Sequence, residues 1–155
     1  MARRYFGTDG IRGIVGEDLT PALVEKIGRA AALWARARAP GNAKSGSDPG
    51  RVLIGRDTRG SGPELEAALA RGISSAGWTA VLAGVLPTPA VALLAEDVAA
   101  VVTASHNPPA YNGVKLFDGE GHKLADEDEE AIEALLDTPP SGAAGSVERL
   151  SLIHI

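Results

Sequence analysis

The stretch "VAAVVTASHNPPAYNGVK", Val98 to Lys115, decides the fold. Its first part, Val98 to Ala104, is an apolar run of strand length, suited to burial on both faces of a sheet. It then passes into Ser105-His106-Asn107-Pro108-Pro109, where two prolines end the run. Asn112-Gly113 is expected to make the turn, and the chain leaves on Lys115. A simple connector has no need of a serine and a histidine side by side at a strand end, so the stretch also raises a functional question.

The same alternation of signals extends outward. "RVLIGRD" (Arg51 to Asp57) reads as a short buried strand that delivers charge at its end. "WTAVLAG" (Trp78 to Gly84) and "GVKLFD" (Gly113 to Asp118) are strand-like as well. Between them stand helical segments. Thr20-Pro21 supplies a cap hydroxyl and a proline at the first helical position, followed by an apolar stripe of Leu23, Ile27, Ala31 and Trp34. Pro40-Gly41 is expected to end that helix, and Pro40 to Gly50 reads as a flexible surface loop. Pro63 opens a second helix whose inward face is Leu65, Ala68, Leu69, Gly72, Ile73 and Ala76, with Gly77 as its stop. "LPTPAVALLAED" offers a short helix capped around Thr88-Pro89. A last helix is expected over Asp126 to Asp137, with Asp126 and Glu129 in capping-box positions.

Strands alternating with helices predict an α/β domain: a mixed, largely parallel sheet covered by helices on both faces. In such sheets ligands lie beyond the carboxyl ends of the strands, and Asp57 and Ser105 are both predicted at such ends.

With 155 residues, the chain is long enough for one domain with a real core. Hydrophobic residues make up 45% and charged residues 23%, an ordinary globular balance. A net charge of -5 gives no basic field that would draw in nucleic acid or an anionic membrane. The absence of cysteine excludes disulfides and thiolate metal sites. "MARRYFGTDG" turns polar before any apolar core of a signal peptide, and no stretch reaches the roughly 20 apolar residues of a membrane helix. The expectation is a cytoplasmic protein.

Each chemical motif has a plainer alternative. "GRDTRGSG" (Gly55 to Gly62) spaces its glycines as a phosphate loop does, but Ser61-Gly62 stands where Lys-Ser/Thr is required. It is either a turn before a helix or a place where Arg56 and Arg59 sit near an anionic ligand. "DGEGHK" alternates Asp118, Glu120 and His122 but lacks the glycine of a calcium loop, so a turn explains it better than a metal does. The acidic run Asp126 to Glu130 suits a helix N-terminus. Ser105 lacks the Gly-x-Ser-x-Gly frame, and His106 is too close in sequence to act as its base, which disfavours serine hydrolysis. Ser105 and Asn107 could simply satisfy loop backbone groups. A serine at a strand end can instead carry a phosphoryl group, which brings about two negative charges and calls for cations. Arg3, Arg4, Arg12, Arg56, Arg59 and Lys115 are available. From the residues alone, the reading is a phosphate-handling α/β domain.

"FGTDGIRG" (Phe6 to Gly13), "GRDTRGSG", "PTPAVALL" and "TASHNPPAYNGVK", in this order, resemble the α-D-phosphohexomutase family from about Arg4 to about Val147. The opening motif resembles its glucosamine branch. The resemblance implies that Ser105 is a phosphoserine that gives and takes back a phosphoryl group. Lys115 would serve in acid–base catalysis, and a lysine acts as a base only when neutral. Arg12 would stabilise the transferring phosphoryl, and His106 would orient the loop. Arg12, Lys115 and Asn107 would bind the phosphorylated sugar. Mg2+ would be the cofactor, with the Ser105 phosphate as one ligand and the other ligands in a later domain.

The implied reaction interconverts glucosamine 6-phosphate and glucosamine 1-phosphate through a bisphosphate, feeding cell-wall precursor synthesis. Two alternatives stay open: a glucose or mannose phosphate as substrate, or a non-catalytic module that binds phosphate or a partner. Family members have four domains, and residues 1–150 resemble the first alone. Residues 151–155, "SLIHI", form an atypical tail. The implied partners are the phosphohexosamine and the later domains, and exposed surface meant for those domains would also suit a homodimer. Nucleic acid and membrane are not implied.

Overall fold

The computed structural model describes residues 3–38, 50–140 and 142–151. The expected loop at 40–49 and residues 152–155 of the tail lie outside the described residues. Six strands form one sheet: β1 (Ile11–Ile14), β2 (Arg51–Arg56), β3 (Thr79–Val85), β4 (Val98–Val102), β5 (Tyr111–Asp118) and β6 (Val147–Arg149). Their order is β1-β5-β4-β2-β3-β6. β2 pairs in parallel with both β3 and β4, and β3 pairs in parallel with β6; β5 runs antiparallel to β4 and to β1. Five strands therefore point one way and β5 alone points back.

Four helices cover this sheet: α1 (Pro21–Arg38), α2 (Gly62–Ser75), α3 (Thr88–Leu93) and α4 (Asp126–Glu133). The strand residues sort by alternation. Val52, Ile54, Ala80, Val98, Ala100 and Val102 pack into one core with α1, α2 and α4. Leu53, Val81, Ala83, Ala99 and Val101 pack on the other face around Val91 of α3. Both faces of the central strands are buried, which is why their sequences are continuously apolar.

The helix signals are largely realised. Leu23 N–H donates to Thr20 Oγ1 at 3.2 Å, the expected cap on α1. On its stripe Ile27, Ala31 and Trp34 are buried, whereas Leu23 is half-buried at the core margin and Val24 beside it is fully buried. All six predicted inward residues of α2 are buried.

Three expectations need correction. Asn112-Gly113 makes no turn: both residues lie inside β5 and are buried. The reversal is made earlier, where Asn107 N–H donates to Ala104 O (3.1 Å) and Tyr111 N–H to Pro108 O (2.9 Å). The capping box on α4 does not form either. Ala125 takes the cap position with no side-chain bond, because Glu129 is drawn inward to Arg3, with Nη1 2.8 Å from Oε1. That helix ends at Glu133, short of Asp137.

α1 and α2 cross at very close range. A methyl group on Gly72 would overlap the Glu25 carbonyl oxygen of α1, and its nearest side-chain-free alternatives are also backbone atoms. Backbone cannot swing aside as a flexible side chain can. Gly72→Ala is therefore expected to destabilise the domain by about 2 kcal/mol or more in urea unfolding; a wild-type midpoint would show that the crossing is looser than this packing implies.

Candidate active site

The site is built on the β4–β5 connection. Ser105 lies three residues beyond β4, in left-handed backbone conformation at φ 54°. Few non-glycine residues adopt that region, so something must hold it there. Thr103 Oγ1 accepts from Ser105 N–H at 3.0 Å and donates to Asp57 Oδ2 at 2.7 Å. Asp57 in turn accepts from Arg59, at its backbone N–H (3.1 Å) and at Nε (3.3 Å). Arg59 Nη1 donates to the carbonyls of Pro108 (2.8 Å) and Tyr111 (2.9 Å). Its Nη2 donates to those of Ser105 (3.0 Å) and Asn107 (2.8 Å). All five donors of one guanidinium are thereby used on the loop and its support.

This corrects one expectation about the arginines. Arg59 is committed to the loop, with 12% of its side chain exposed, and is not a free cation for a ligand. Arg56 lies against Glu66, Nε 3.4 Å from Oε2, close enough for an ion pair but without hydrogen-bond geometry. Arg3 pairs with Glu129 and Asp126, and Arg4 stacks over Tyr5.

Arg12 and Lys115 remain, and the sheet puts them on one face. Arg12 on β1 stands opposite Gly113, and Lys115 two residues along β5 stands opposite Val101. Opposed residues share a face, as do residues two apart on one strand. Gly113 is required there: a Cβ would sit 2.8 Å from Arg12 Cγ and 2.7 Å from Thr103 O. Arg12 Nη1 reaches Asn107 Oδ1 at 3.4 Å, and Nη2 stands 3.9 Å from Asp9 Oδ2, while Nε is buried with no hydrogen-bond partner. Gly10 lies close against the Val114 carbonyl and the base of Lys115, so the "FGTDGIRG" loop runs beside that lysine. Among the described residues Lys115 has no hydrogen bond or ion pair. His106 is exposed and equally unpartnered, and no partner is present for the exposed Ser105 hydroxyl.

Residues to which sequence reasoning assigned no such role also shape the site. Asn112, fully buried, donates from Nδ2 to Ser61 Oγ at 2.8 Å and ties the start of α2 to β5. Thr103 and Asp57 had only their place near strand ends to mark them. Glu133 of α4 accepts the backbone N–H groups of Arg4 (2.6 Å), Tyr5 (2.7 Å) and Phe6 (2.8 Å), which anchors the segment leading into "FGTDGIRG". The "DGEGHK" stretch is a turn: Asp118 Oδ1 accepts from the N–H groups of Glu120 and His122, both at 2.9 Å. Among the described residues no group of three metal-ligating side chains comes together. No described helix is long and apolar enough to cross a membrane.

Residues 3–142 match the model of the phosphoglucomutase/phosphomannomutase α/β/α domain I. The chain belongs to the phosphoglucomutase/phosphomannomutase family. Among curated relatives of this family domain, the phosphoglucosamine mutase of Burkholderia thailandensis is 51% identical over 159 residues, covering 97% of this chain and 35% of the relative. That of Burkholderia mallei is 53% identical over 149 residues, covering 93% and 32%. The chain thus spans about a third of the length of these relatives. In solved structures, the putative phosphomannomutase of Thermus thermophilus matches with a TM-score of 0.80 and 33% identity, over 97% of this chain and 33% of that one. A phosphoglucomutase/phosphomannomutase family protein from Burkholderia thailandensis gives 0.77 and 32%, over 97% and 33%.

The anchor on the first segment is sensitive to pH. Burial alone would raise the Glu133 carboxyl, but the three backbone donors outweigh it and hold the group below its ordinary value of 4.5. A carboxyl lowered on folding binds fewer protons in the folded than in the unfolded state. Its stabilisation is complete above that ordinary value and fades as the pH falls through the folded one. Glu133→Gln is expected to cost about 1–2 kcal/mol in urea unfolding at pH 7, and the gap to wild type should narrow on acidification. A gap that widens in acid would contradict the assignment.

Proposed function

We propose that this chain is the catalytic-serine domain, residues 1–150, of a phosphoglucosamine mutase, and that Ser105 is its phosphoryl carrier. A contrast between two guanidinium groups carries the reading. Arg59 is saturated by five acceptors, whereas Arg12, beside the same loop, has one long hydrogen bond and an unpartnered Nε. Its carboxylate neighbour, Asp9, stands 3.9 Å away, and with unpaired Lys115 on the same face it offers positive charge beside the loop that carries the exposed Ser105. A dianionic phosphate on that oxygen supplies the missing acceptors.

In the proposed cycle a hydroxyl of the phosphohexosamine attacks the Ser105 phosphate. The bond from Ser105 Oγ to phosphorus breaks, the new bond from sugar oxygen to phosphorus forms, and the hydroxyl proton passes by way of Lys115 to the Ser105 oxygen left behind. Glucosamine 1,6-bisphosphate then turns over in the site. Its other phosphoryl group moves to Ser105 Oγ, and Lys115 carries the serine proton to the sugar oxygen left behind. The net change interconverts glucosamine 6-phosphate and glucosamine 1-phosphate without ATP, in supply of amino-sugar and cell-wall precursors in the cytoplasm.

Arg12 stabilises charge on the transferring group, Arg12, Lys115 and Asn107 bind the phosphorylated sugar, and His106 orients the loop. Such positioning and charge stabilisation is most of what phosphoryl transfer asks of a protein. Mg2+, when bound, would neutralise further charge there. This chain would offer it the Ser105 phosphate. The remaining ligands and the sugar-recognition groups belong to the later domains of the full-length relatives. The high identity to phosphoglucosamine mutases favours the amino sugar over glucose or mannose phosphate.

Intact-mass measurement on freshly purified protein is expected to find a species heavier by one phosphoryl group that is missing from Ser105→Ala. Equal modification of that variant would refute the carrier role. Because the chain spans a third of its relatives, the 155 residues alone are expected to give negligible turnover of glucosamine 6-phosphate in a coupled assay; measurable mutase activity would contradict the need for further domains.

A further inference from the structure

The Arg59 clamp lies outside the proposed chemistry and accounts for a feature the mechanism takes for granted, the left-handed backbone at Ser105. The loop from Ser105 to Tyr111 turns four carbonyl oxygens toward one point. Converging carbonyl dipoles repel one another, and such a loop is stable only around a cation with several donors. The guanidinium supplies five in one rigid plane, with the fifth, Nε, held by Asp57. Two of the four carbonyls, those of Asn107 and Pro108, precede prolines, so their amides have no N–H that would need a partner on the other side. The second arm of the clamp is Thr103, whose hydroxyl links Asp57 to the Ser105 N–H.

We propose that Asp57, Arg59 and Thr103 are positioning residues that together hold Ser105 in its left-handed conformation with the hydroxyl presented for phosphoryl transfer. They act through the backbone of residues 103–111 and do not touch the phosphate. The clamp itself is independent of phosphorylation; its purpose rests on the phosphoserine reading above.

Two substitutions separate this role from general support of the fold. Lys in place of Arg59 keeps the charge but has three donors on one nitrogen and cannot span four carbonyls. Val in place of Thr103 keeps the shape and loses the hydroxyl, whereas Ser keeps the hydroxyl. Amide hydrogen exchange on the 155-residue chain is expected to be about tenfold faster or more over residues 104–112 in Arg59→Lys and Thr103→Val. Exchange in β2 and β4 should stay at wild-type rates, and Thr103→Ser should match wild type throughout. In the same samples, Ser105 phosphate found by intact mass in wild type and in Thr103→Ser should fall in the other two. Wild-type exchange over the loop in Arg59→Lys would overturn the proposal. So would acceleration spread equally through β2 and β4, which would mark Arg59 as ordinary structural support. If no sample carries phosphate, the phosphoserine reading fails, while the exchange pattern still decides the clamp.

Discussion

The hydrogen bonds from the Arg59 guanidinium to the carbonyls of Ser105, Asn107, Pro108 and Tyr111 set the shape on which everything at this strand end depends. The bonds to Asn107 and Tyr111 are the part-buried ones, and leaving such an oxygen without a donor costs about 1 kcal/mol or more. Asp57 fixes the direction of the guanidinium and, through Thr103, the Ser105 amide. The "GRDTR" and "TASHNPP" stretches, 46 residues apart between Asp57 and Thr103, therefore work as one unit. A strained serine can persist at a strand end because its surroundings over-determine it.

That commitment divides the positive charges. Arg3, Arg56 and Arg59 are held by carboxylates or carbonyls within the domain, Arg12 has only long contacts to Asn107 and Asp9, and Lys115 has no partner among the described residues. The lone reversed strand makes the division useful. Because β5 runs against both β4 and β1, Lys115 and Arg12 fall on one face near the end of β4. A chain with a net charge of -5 thus keeps a local positive site where an anion would be bound. The cleft lined by Trp34, Trp78, Asp97 and Asp118 lies at the opposite ends of the strands.

Much of this was legible in the residues, for identifiable reasons. β2, β3 and β4 are buried on both faces, so their apolar runs are unmistakable, and α2 showed its inward face residue by residue. β1 was hidden because Arg12 and Gly13 interrupt it, and β6 because its three residues are all exposed. Asn112-Gly113 misled because that pair usually signals a hairpin turn. Here a Cβ on the glycine would crowd the Ile11 and Thr103 carbonyl oxygens and Arg12, and the asparagine reaches Ser61. The capping box on α4 failed because tertiary pairing with Arg3 outweighed the local bond. Ser105, Arg12, Asn107 and Lys115 could be named from motifs, but the saturation of Arg59 could not. It depends on carbonyl directions, which leave no mark in side-chain identity.

The central claim is that positive charge from Arg12 and Lys115 converges on a phosphate carried by Ser105. Phosphorus NMR of the phosphorylated chain, titrated with pH, tests it most directly. Free phosphoserine takes up its second proton at about pH 6. The account predicts a value clearly below that in the wild-type chain, moving back toward it in Lys115→Gln and in Arg12→Gln. A phosphate that titrates like the free amino acid, unmoved by either substitution, would contradict it.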